Sequence, residues 1–557
     1  MQIDPQSDTI VALFCRRVRE SGARPAVRFR ESAGWSAWTW SELHERVCFE
    51  ANRLQSIFGI QAGDRIVLIS SNSPNWIVYD LAIQMAGGIN VPLHATLTGG
   101  QLAEQILHCE PSVVFLEDVE QLEKLREVGN AVTGDAGLRL VVIGEQNNVP
   151  EEFQLPATEF FEDDQIEQEA AVNLAPTDLA TILYTSGTTG EAKGVMLTQG
   201  NLVSNAAGSL EAFDVGSDDL RLSCLPWSHI FARTCDLYAW IASGSELAIA
   251  ESREKTLENC AELQPTQINA VPYFYDKIYQ LLSGRHTLTT AGSVQEVLGG
   301  RMRLCVSGGA ALPNHIGELF AAQGVSLVQG YGLTETSPVI STCRPNNNKI
   351  GTVGPPIRDV EVRIADDGEI LTRGPHVMLG YYKNPEATAA AIQDGWFYTG
   401  DLGELDEDGF LRITGRKKEI IVLATGKNIA PAQIEGLLTQ DPLILQALVC
   451  GSEQKFLSAL IVPNPDALRD EIRQRRIVVL SRQHALTNKH VLQLFQQRIE
   501  DRLSGLSNSE QVRRFRLLDR GFTIEGGELT PTLKLRRDTI MANFSDLIQS
   551  MYDDVEK

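Results

Sequence analysis

The densest run of reactive residue types in the chain is "YTSGTTGEAKGV", Tyr184–Val195. Glycines such as Gly187 and Gly190 let a backbone approach an anion closely and turn its N–H groups inward. Thr185, Ser186, Thr188 and Thr189 add hydroxyl donors, and Lys193 adds a point charge. These are the parts of a phosphate cradle. The pattern is not G-x-x-x-x-G-K-[ST], which needs lysine directly after the second glycine. Here Glu191 and Ala192 separate Gly190 from Lys193. A polar turn after a strand is the plainer alternative for an isolated Ser/Thr/Gly run, but so many cradle-type residues at a strand exit favour the anion site.

Further segments follow in order: "SGGAAL" (Ser307–Leu312), "QGYGLTETSP" (Gln329–Pro338), "GWFYTGDLG" (Gly395–Gly403), "ITGRKKEIIVLATGKNIAPAQIE" (Ile413–Glu435) and "LTPTLKLRR" (Leu529–Arg537). With the opening loop, these six resemble the ordered motifs of the adenylate-forming superfamily: acyl-CoA synthetases, luciferases and peptide-synthetase adenylation domains. The resemblance runs from about Asp8 to the C-terminus. It implies a two-step reaction, in which a carboxylate attacks the α-phosphate of ATP and a thiol then attacks the acyl adenylate. ATP, Mg2+ and coenzyme A are the implied cofactor and co-substrates. An anionic nucleophile must approach a polyanion, so positioned cations and dipoles are wanted.

The resemblance also implies roles for residues. Glu335 is the expected magnesium ligand, with Thr185 in the same metal shell, and Thr334 donates to the α-phosphate. Gly308, Gly309 and Ala310 pass along one adenine face, with Tyr331 stacked on the other between Gly330 and Gly332. Asp401 accepts from the ribose hydroxyls, and Arg416 holds the ribose from the other side. Lys418 takes the hinge position between domains. Gly426, followed by Lys427, lies where pantetheine passes, and a larger residue at Gly426 is expected to block the thiol while sparing adenylation. Lys534 supplies the cation between the attacking carboxylate and the α-phosphate, carried by a separate lid domain. Two readings stand for His229 in "LPWSHIFAR": a group near the acyl carboxylate, or an ordinary core or surface histidine. Trp227 either shapes the mouth of an acyl tunnel or belongs to the core.

Within the superfamily, "LPWSHIFAR", "RGPHVMLGYYKNPEAT" and "ELTPTLKLRRDTI" look most like long-chain fatty acyl-CoA synthetases. A fatty acyl-AMP ligase that loads an acyl carrier protein is the alternative, as is a CoA ligase for a medium-chain or aryl acid. A non-enzymatic adenylate-binding module is disfavoured by the joint presence of Lys193, Glu335, Asp401 and Lys534. A luciferase-type oxidoreductase requires a luciferin that the sequence does not reveal.

The elements that must position these residues follow from hydrophobic periodicity. Short apolar runs such as "RIVLISSN", "PSVVFLED", "LRLVVIGE", "LATILYTS" and "RMRLCVSGGA" alternate with helical patterns such as "NWIVYDLAIQMAGG" and "IGELFAAQG". That alternation predicts an α/β fold with largely parallel sheets. The expected division is a large N-terminal adenylation domain, 1–415, and a small mobile α+β lid, 416–557. The acidic, proline-bearing stretch Glu145–Asp178 reads as a surface connection. With 49 basic and 72 acidic residues the formal charge is −23, which argues against a nucleic-acid partner. The nine cysteines have no CxxC pair and no metal-ligand spacing, as expected for reduced thiols. With no secretory pattern and no apolar run of about 18 residues, the expected location is the cytoplasm, with at most weak peripheral contact at the inner membrane face.

Overall fold

The computed structural model describes residues 3–128, 138–146, 148–156, 173–186, 192–523, 526–530 and 534–553. The chain falls into two compact units. The first comprises Met1–Arg363, Leu371–Thr399 and Leu405–Arg412; the second comprises Ile364–Ile370, Gly400–Glu404 and Ile413–Lys557.

The first unit is built on two sheets. One has eight strands in the order Val339–Thr342, Ser326–Gly332, Leu304–Ser307, Gln267–Ala270, Leu220–Ser223, Glu246–Ile249, Pro25–Glu31 and Gly34–Thr39. Its interior pairs are parallel and its two edge pairs antiparallel. The other has seven strands in the order Gly380–Tyr381, Ala192–Thr198, Leu179–Ser186, Ile89–Leu93, Arg65–Ile69, Val113–Leu116 and Arg139–Val142. Here too the pairs from Leu179 onward in that order are parallel, and the two at the other edge antiparallel. Strands such as Leu304–Ser307 are buried along their whole length, as expected where helices cover both faces.

The helix Pro74–Met85 begins at Ser73, whose hydroxyl accepts from the Trp76 N–H, with Pro74 in the first turn. Every residue from Trp76 to Met85 is buried, including Asp80. A buried carboxylate needs a partner, and the segment Arg233–Tyr238 provides it. That segment winds as a π-helix, a geometry common at functional positions. Arg233 pairs with Asp80 and donates to Tyr238 Oη and Thr181 Oγ1, both at 2.7 Å. One turn on, Asp236 accepts from Ser223 Oγ at 2.7 Å and Asn269 Nδ2 at 2.8 Å, with Arg221 beside it. Thr181 lies in the seven-stranded sheet, and Ser223, Asn269 and Arg221 lie in the eight-stranded one. The π-helical segment thus pins both sheets through buried polar contacts.

His376 is fully buried, with Thr372 Oγ1 2.9 Å from its Nε2. Burial pushes its pKa down to about 4. A histidine whose folded pKa lies below its unfolded value of roughly 6.5 takes up its proton more readily when unfolded. Its stabilising effect is therefore present above pH 6.5 and lost as pH falls toward 4. From pH 7.5 to 5.0, His376 alone is expected to cost about 2 kcal/mol of stability. Denaturant midpoints of wild type and His376→Asn at the two pH values check this; equal pH dependence in both would remove His376 as the cause.

The second unit contains a three-stranded sheet. Ile444–Cys450 pairs antiparallel with Leu457–Pro463, which pairs parallel with Val512–Leu517. Helices Pro431–Leu438 and Lys489–Leu503 bury Ile434, Leu438, Phe495 and Ile499 in one core. Ile540 and Met551, from the last two helices, join a second core with Leu448, Leu460 and Val462. Alternate residues of the strands thus supply the two cores, which is the period-2 pattern of a sheet covered on both faces.

Candidate active site

The loop Gly187–Glu191 lies outside the described residues, and with it Gly187, Thr188, Thr189 and Gly190. Its stem is described. Leu179–Ser186 and Ala192–Thr198 form a hairpin in which Ser186 faces Ala192 and Thr185 faces Lys193. Thr185 Oγ1 donates to the Lys193 carbonyl at 3.5 Å. The Lys193 ammonium stands over the Tyr381 ring, 5.0 Å from its centroid. Tyr381 is placed by its own strand, which pairs with the hairpin so that Tyr381 faces Val195. Its hydroxyl donates to Glu335 Oε1 at 2.9 Å. Burial, reinforced by the Glu335 carboxylate, raises the Tyr381 pKa, so the hydroxyl stays a donor at neutral pH.

Glu335 sits in a 3-10 turn, Thr334–Thr336, directly after the strand Ser326–Gly332. The Met378 N–H donates to its backbone carbonyl at 2.8 Å, which fixes the turn against the segment carrying Tyr381. Lys193, Tyr381 and Glu335 therefore form a cation–ring–carboxylate series at the hairpin. Tyr381 was not among the residues singled out from sequence; its signal lies in "GYYKNPEAT", a segment read there only for substrate class.

The strands Leu304–Ser307 and Ser326–Gly332 are parallel neighbours, with Ser307 facing Gln329. Gly308–Ala310 follow one strand, and Gly330–Gly332 end the other. Ligands in open α/β sheets bind outside such carboxyl ends. A Cβ on Gly308 would lie 2.9 Å from the Phe231 ring, and one on Gly332 only 1.7 Å from the Pro338 carbonyl oxygen. Neither position has room for a side chain. Gly309 and Ala310 are exposed, and Tyr331 is half-buried opposite Ser341.

His229 caps the helical segment that carries Phe231 and Arg233: its Nδ1 accepts from the Phe231 N–H at 3.2 Å. The ring is half-buried and its orientation set. Trp227 is fully buried, donates from Nε1 to Ser223 Oγ at 2.9 Å, and meets Trp76 edge-on at 5.6 Å. Of its two readings, the structure favours core.

In the second unit, Asp401 is only 4% exposed and accepts from Arg416 Nε at 2.8 Å. The two predicted ribose residues are thus direct partners. Beside them Glu369 accepts from the Gly400 N–H and from Lys417 Nζ, both at 2.8 Å. Lys417 also pairs with Asp367, the larger cause of its raised pKa. Lys418 is exposed on the 3-10 turn Lys417–Glu419. Gly426 turns the hairpin between Ile421–Val422 and Asn428–Ile429 with φ +78°, a conformation costly for any side chain. Nothing lies within 4 Å of a Cβ placed there. Lys427 Nζ reaches Ser509 Oγ at 3.4 Å. Lys534 is exposed; its N–H donates to Thr530 Oγ1 at 3.0 Å, and its carbonyl accepts from the Thr530 N–H at 2.8 Å. Arg537 is not a solvated charge: it pairs with the buried Glu435 at 2.7 Å.

Residues 14–382 match the AMP-binding enzyme family, and residues 418–556 match the AMP-binding enzyme C-terminal domain. The chain belongs to the AMP-binding enzymes. Among similar proteins of this family is the long-chain-fatty-acid–CoA ligase FadD15 of Mycobacterium tuberculosis, 33% identical over 93% of each chain. The long-chain-fatty-acid–[acyl-carrier-protein] ligase AEE15 of Arabidopsis thaliana, chloroplastic, is 27% identical over 92% of this chain and 82% of its own. The fold is also that of a solved structure, the anthranilate CoA ligase AuaEII in complex with anthranoyl-AMP. It aligns with a TM-score of 0.78 at 19% identity, over 97% of this AMP-binding enzyme and 98% of that chain. Among the described residues no helix is long and apolar enough to cross a membrane.

Proposed function

We infer that the protein is an AMP-forming acid–thiol ligase that activates a fatty acid, most simply a long-chain one, and passes the acyl group to coenzyme A. The observation that carries this reading is the identity to FadD15 across both halves of the chain. In the first half-reaction a carboxylate oxygen bonds to the α-phosphorus of ATP, the bond to the bridging oxygen breaks, and pyrophosphate leaves. In the second a thiol sulfur bonds to the acyl carbon, its proton is lost, and AMP leaves.

The roles of the chain's own residues follow from their chemistry. Lys193 and the hydroxyls of the glycine-rich loop hold the β- and γ-phosphates. The turn Gly308–Ala310 and Tyr331 take the adenine, and Asp401 with Arg416 takes the ribose. Thr334 donates to the α-phosphate. His229 lies near the acyl carboxylate, and Lys418 serves as hinge. Magnesium fits Glu335: the ion prefers hard oxygens and uses one or two carboxylates completed by phosphates and water. Tyr381 donates to one oxygen of the Glu335 carboxylate, Oε1 at 2.9 Å, and the two carboxylate oxygens have further acceptor capacity. Glu335, with Thr185 as the expected second member of the shell, would hold the ion, which would supply neutralisation of phosphate charge.

The reading is tested by incubating the protein with ATP, Mg2+ and acids of graded length, measuring pyrophosphate and thioester separately with CoA or a phosphopantetheinylated carrier protein. Fatty acid-dependent pyrophosphate release and acyl-CoA formation are expected. Thioester on the carrier protein alone would replace CoA by the acceptor that AEE15 names. Pyrophosphate release only with aryl acids would overturn the substrate class. Gly426→Ala is expected to slow thioester formation with adenylation unchanged, because the αL strain of about 1–2 kcal/mol falls on the hairpin that the thiol passes. Stopped-flow measurement of each half-reaction checks this; equal slowing of both would detach Gly426 from the second step.

A further inference from the structure

Between Ile472 and Ile499 the chain has no Asp or Glu, but it has Arg473, Arg475, Arg476, Arg482, Lys489 and Arg498. In a protein of formal charge −23 this is a local inversion of sign. Its first part is the turn joining helix Pro465–Gln474 to helix Arg482–Thr487. At the tip of that turn Val478 is 76% exposed and Leu480 86% exposed, the highest values among the exposed large hydrophobic residues described. Arg473, Arg475, Arg476 and Arg482 flank them and are exposed.

The tip is tied down. Ile477 packs partly on the core of the second unit, and its N–H donates to the Ile472 carbonyl at 3.0 Å. Asn488 Nδ2 donates to the Val478 carbonyl at 3.2 Å, and the Leu480 N–H donates to His484 Nδ1 at 3.0 Å. Val478 and Leu480 are thus presented outward from an anchored turn, where they gain nothing from folding. Of the acids on the preceding helix, Glu471 is taken by Arg475 at 2.6 Å and Arg498 at 2.8 Å and Asp466 by Arg469 at 3.0 Å, while Asp470 is exposed.

We propose that this turn, residues 473–482, docks the protein on an anionic lipid surface, with Val478 and Leu480 entering the boundary between headgroups and acyl chains and the arginines meeting the phosphates. Apolar side chains ringed by arginine are what such a surface binds. The inference deepens the fatty-acid reading, because a bilayer is where a long-chain acid partitions. It replaces the expectation of weak contact by a located one, despite the acidic balance of the whole chain.

The test is flotation of the full-length protein with vesicles of phosphatidylcholine alone or with 30% phosphatidylglycerol (roughly the anionic fraction that gives a strong surface potential), without ATP, CoA or acid. Wild type is expected to float with anionic vesicles and to release in high salt. Val478→Ser/Leu480→Ser should weaken binding at least about tenfold. Arg473→Gln/Arg476→Gln/Arg482→Gln should lose about fivefold per arginine. Leu445→Ser, at a residue 52% exposed elsewhere in the second unit, should bind as wild type. Unchanged melting temperatures and unchanged turnover of a short soluble acid would show that the variants fold. No flotation of wild type, or equal flotation of all variants, overturns the proposal. So does a change confined to self-association on sedimentation, which would make the tip a protein contact. Vesicle binding through the tip without any acyl-CoA formation would overturn the functional reading and leave the docking intact.

Discussion

Lys534→Ala is expected to lose acyl-adenylate formation by about two to three orders of magnitude, the range for removing one preorganised charge from a transition state. The same variant, given synthetic acyl adenylate and CoA, should form thioester at near wild-type rate. The reason is where charge meets charge. In adenylation an anionic oxygen approaches a polyphosphate, and a cation between them lowers the barrier. In thioester formation the acyl carbon of a mixed anhydride meets a thiol, and no such collision of anions occurs. The structure supports a fixed root for this lysine. Its backbone closes on Thr530 in both directions, and Arg537 ties the following helix to buried Glu435 and to the Val449 carbonyl. Pyrophosphate exchange and single-turnover thioester formation, measured side by side, decide the matter. Equal loss in both half-reactions would show a general role, and no loss in either would return Lys534 to the solvated surface.

Glu335→Gln comes next in size, with a loss of adenylation of about a hundredfold at limiting magnesium, since a metal ion's charge stabilisation amounts to several kcal/mol. Gln keeps the shape and the acceptor for Tyr381 but removes the negative charge. Excess magnesium should restore part of the rate, because weaker binding is offset by mass action. Tyr381→Phe separates charge from orientation. It keeps the ring under Lys193 and removes the hydroxyl, so a loss of about tenfold is expected, the worth of one hydrogen bond to a charged group. Here added magnesium should change little. Wild-type adenylation in Glu335→Gln would take Glu335 out of the site, and identical magnesium curves for the two variants would make its role purely structural.

What the sequence made legible depended on whether the signal was local. The strands before the glycine-rich turns were readable because burial on both faces produces continuous apolar runs. "RMRLCVSGGA" contains the strand Leu304–Ser307, and "LATILYTS" is the strand Leu179–Ser186 in full. The motif residues were readable because their order along the chain is itself a pattern. What stayed hidden was pairing at long range. Nothing near Asp80 says that its partner is Arg233, and Tyr381 meets Glu335 only because a two-residue strand joins the edge of a sheet. Glu369, which holds Lys417 and the Gly400 N–H, is an ordinary acid in sequence. Arg537 pairs with buried Glu435, yet in sequence it is one of a run of basic residues, which does not reveal which member turns inward. Trp227 was ambiguous for a related reason: its indole N–H finds Ser223, four residues away, and bonding of that kind leaves no periodic trace.

The interleaving of the two units has a practical consequence for recombination. The chain passes from one to the other at 363/364, returns at 370/371, and does so again around 400–404 before the final passage at 412/413. A chimera joined at one point after Arg412 would graft the last segment onto foreign versions of residues 364–370 and 400–404. It would lose the native match of Lys417 to Asp367 and Glu369, and of Arg416 to Asp401. The second unit can be exchanged between relatives intact only if all three of its segments travel together. A single junction upstream of Ile364 would carry the whole of the second unit, but it would also take Leu371–Thr399 away from the first, and with it the Tyr381 that pairs with Val195 and holds Glu335.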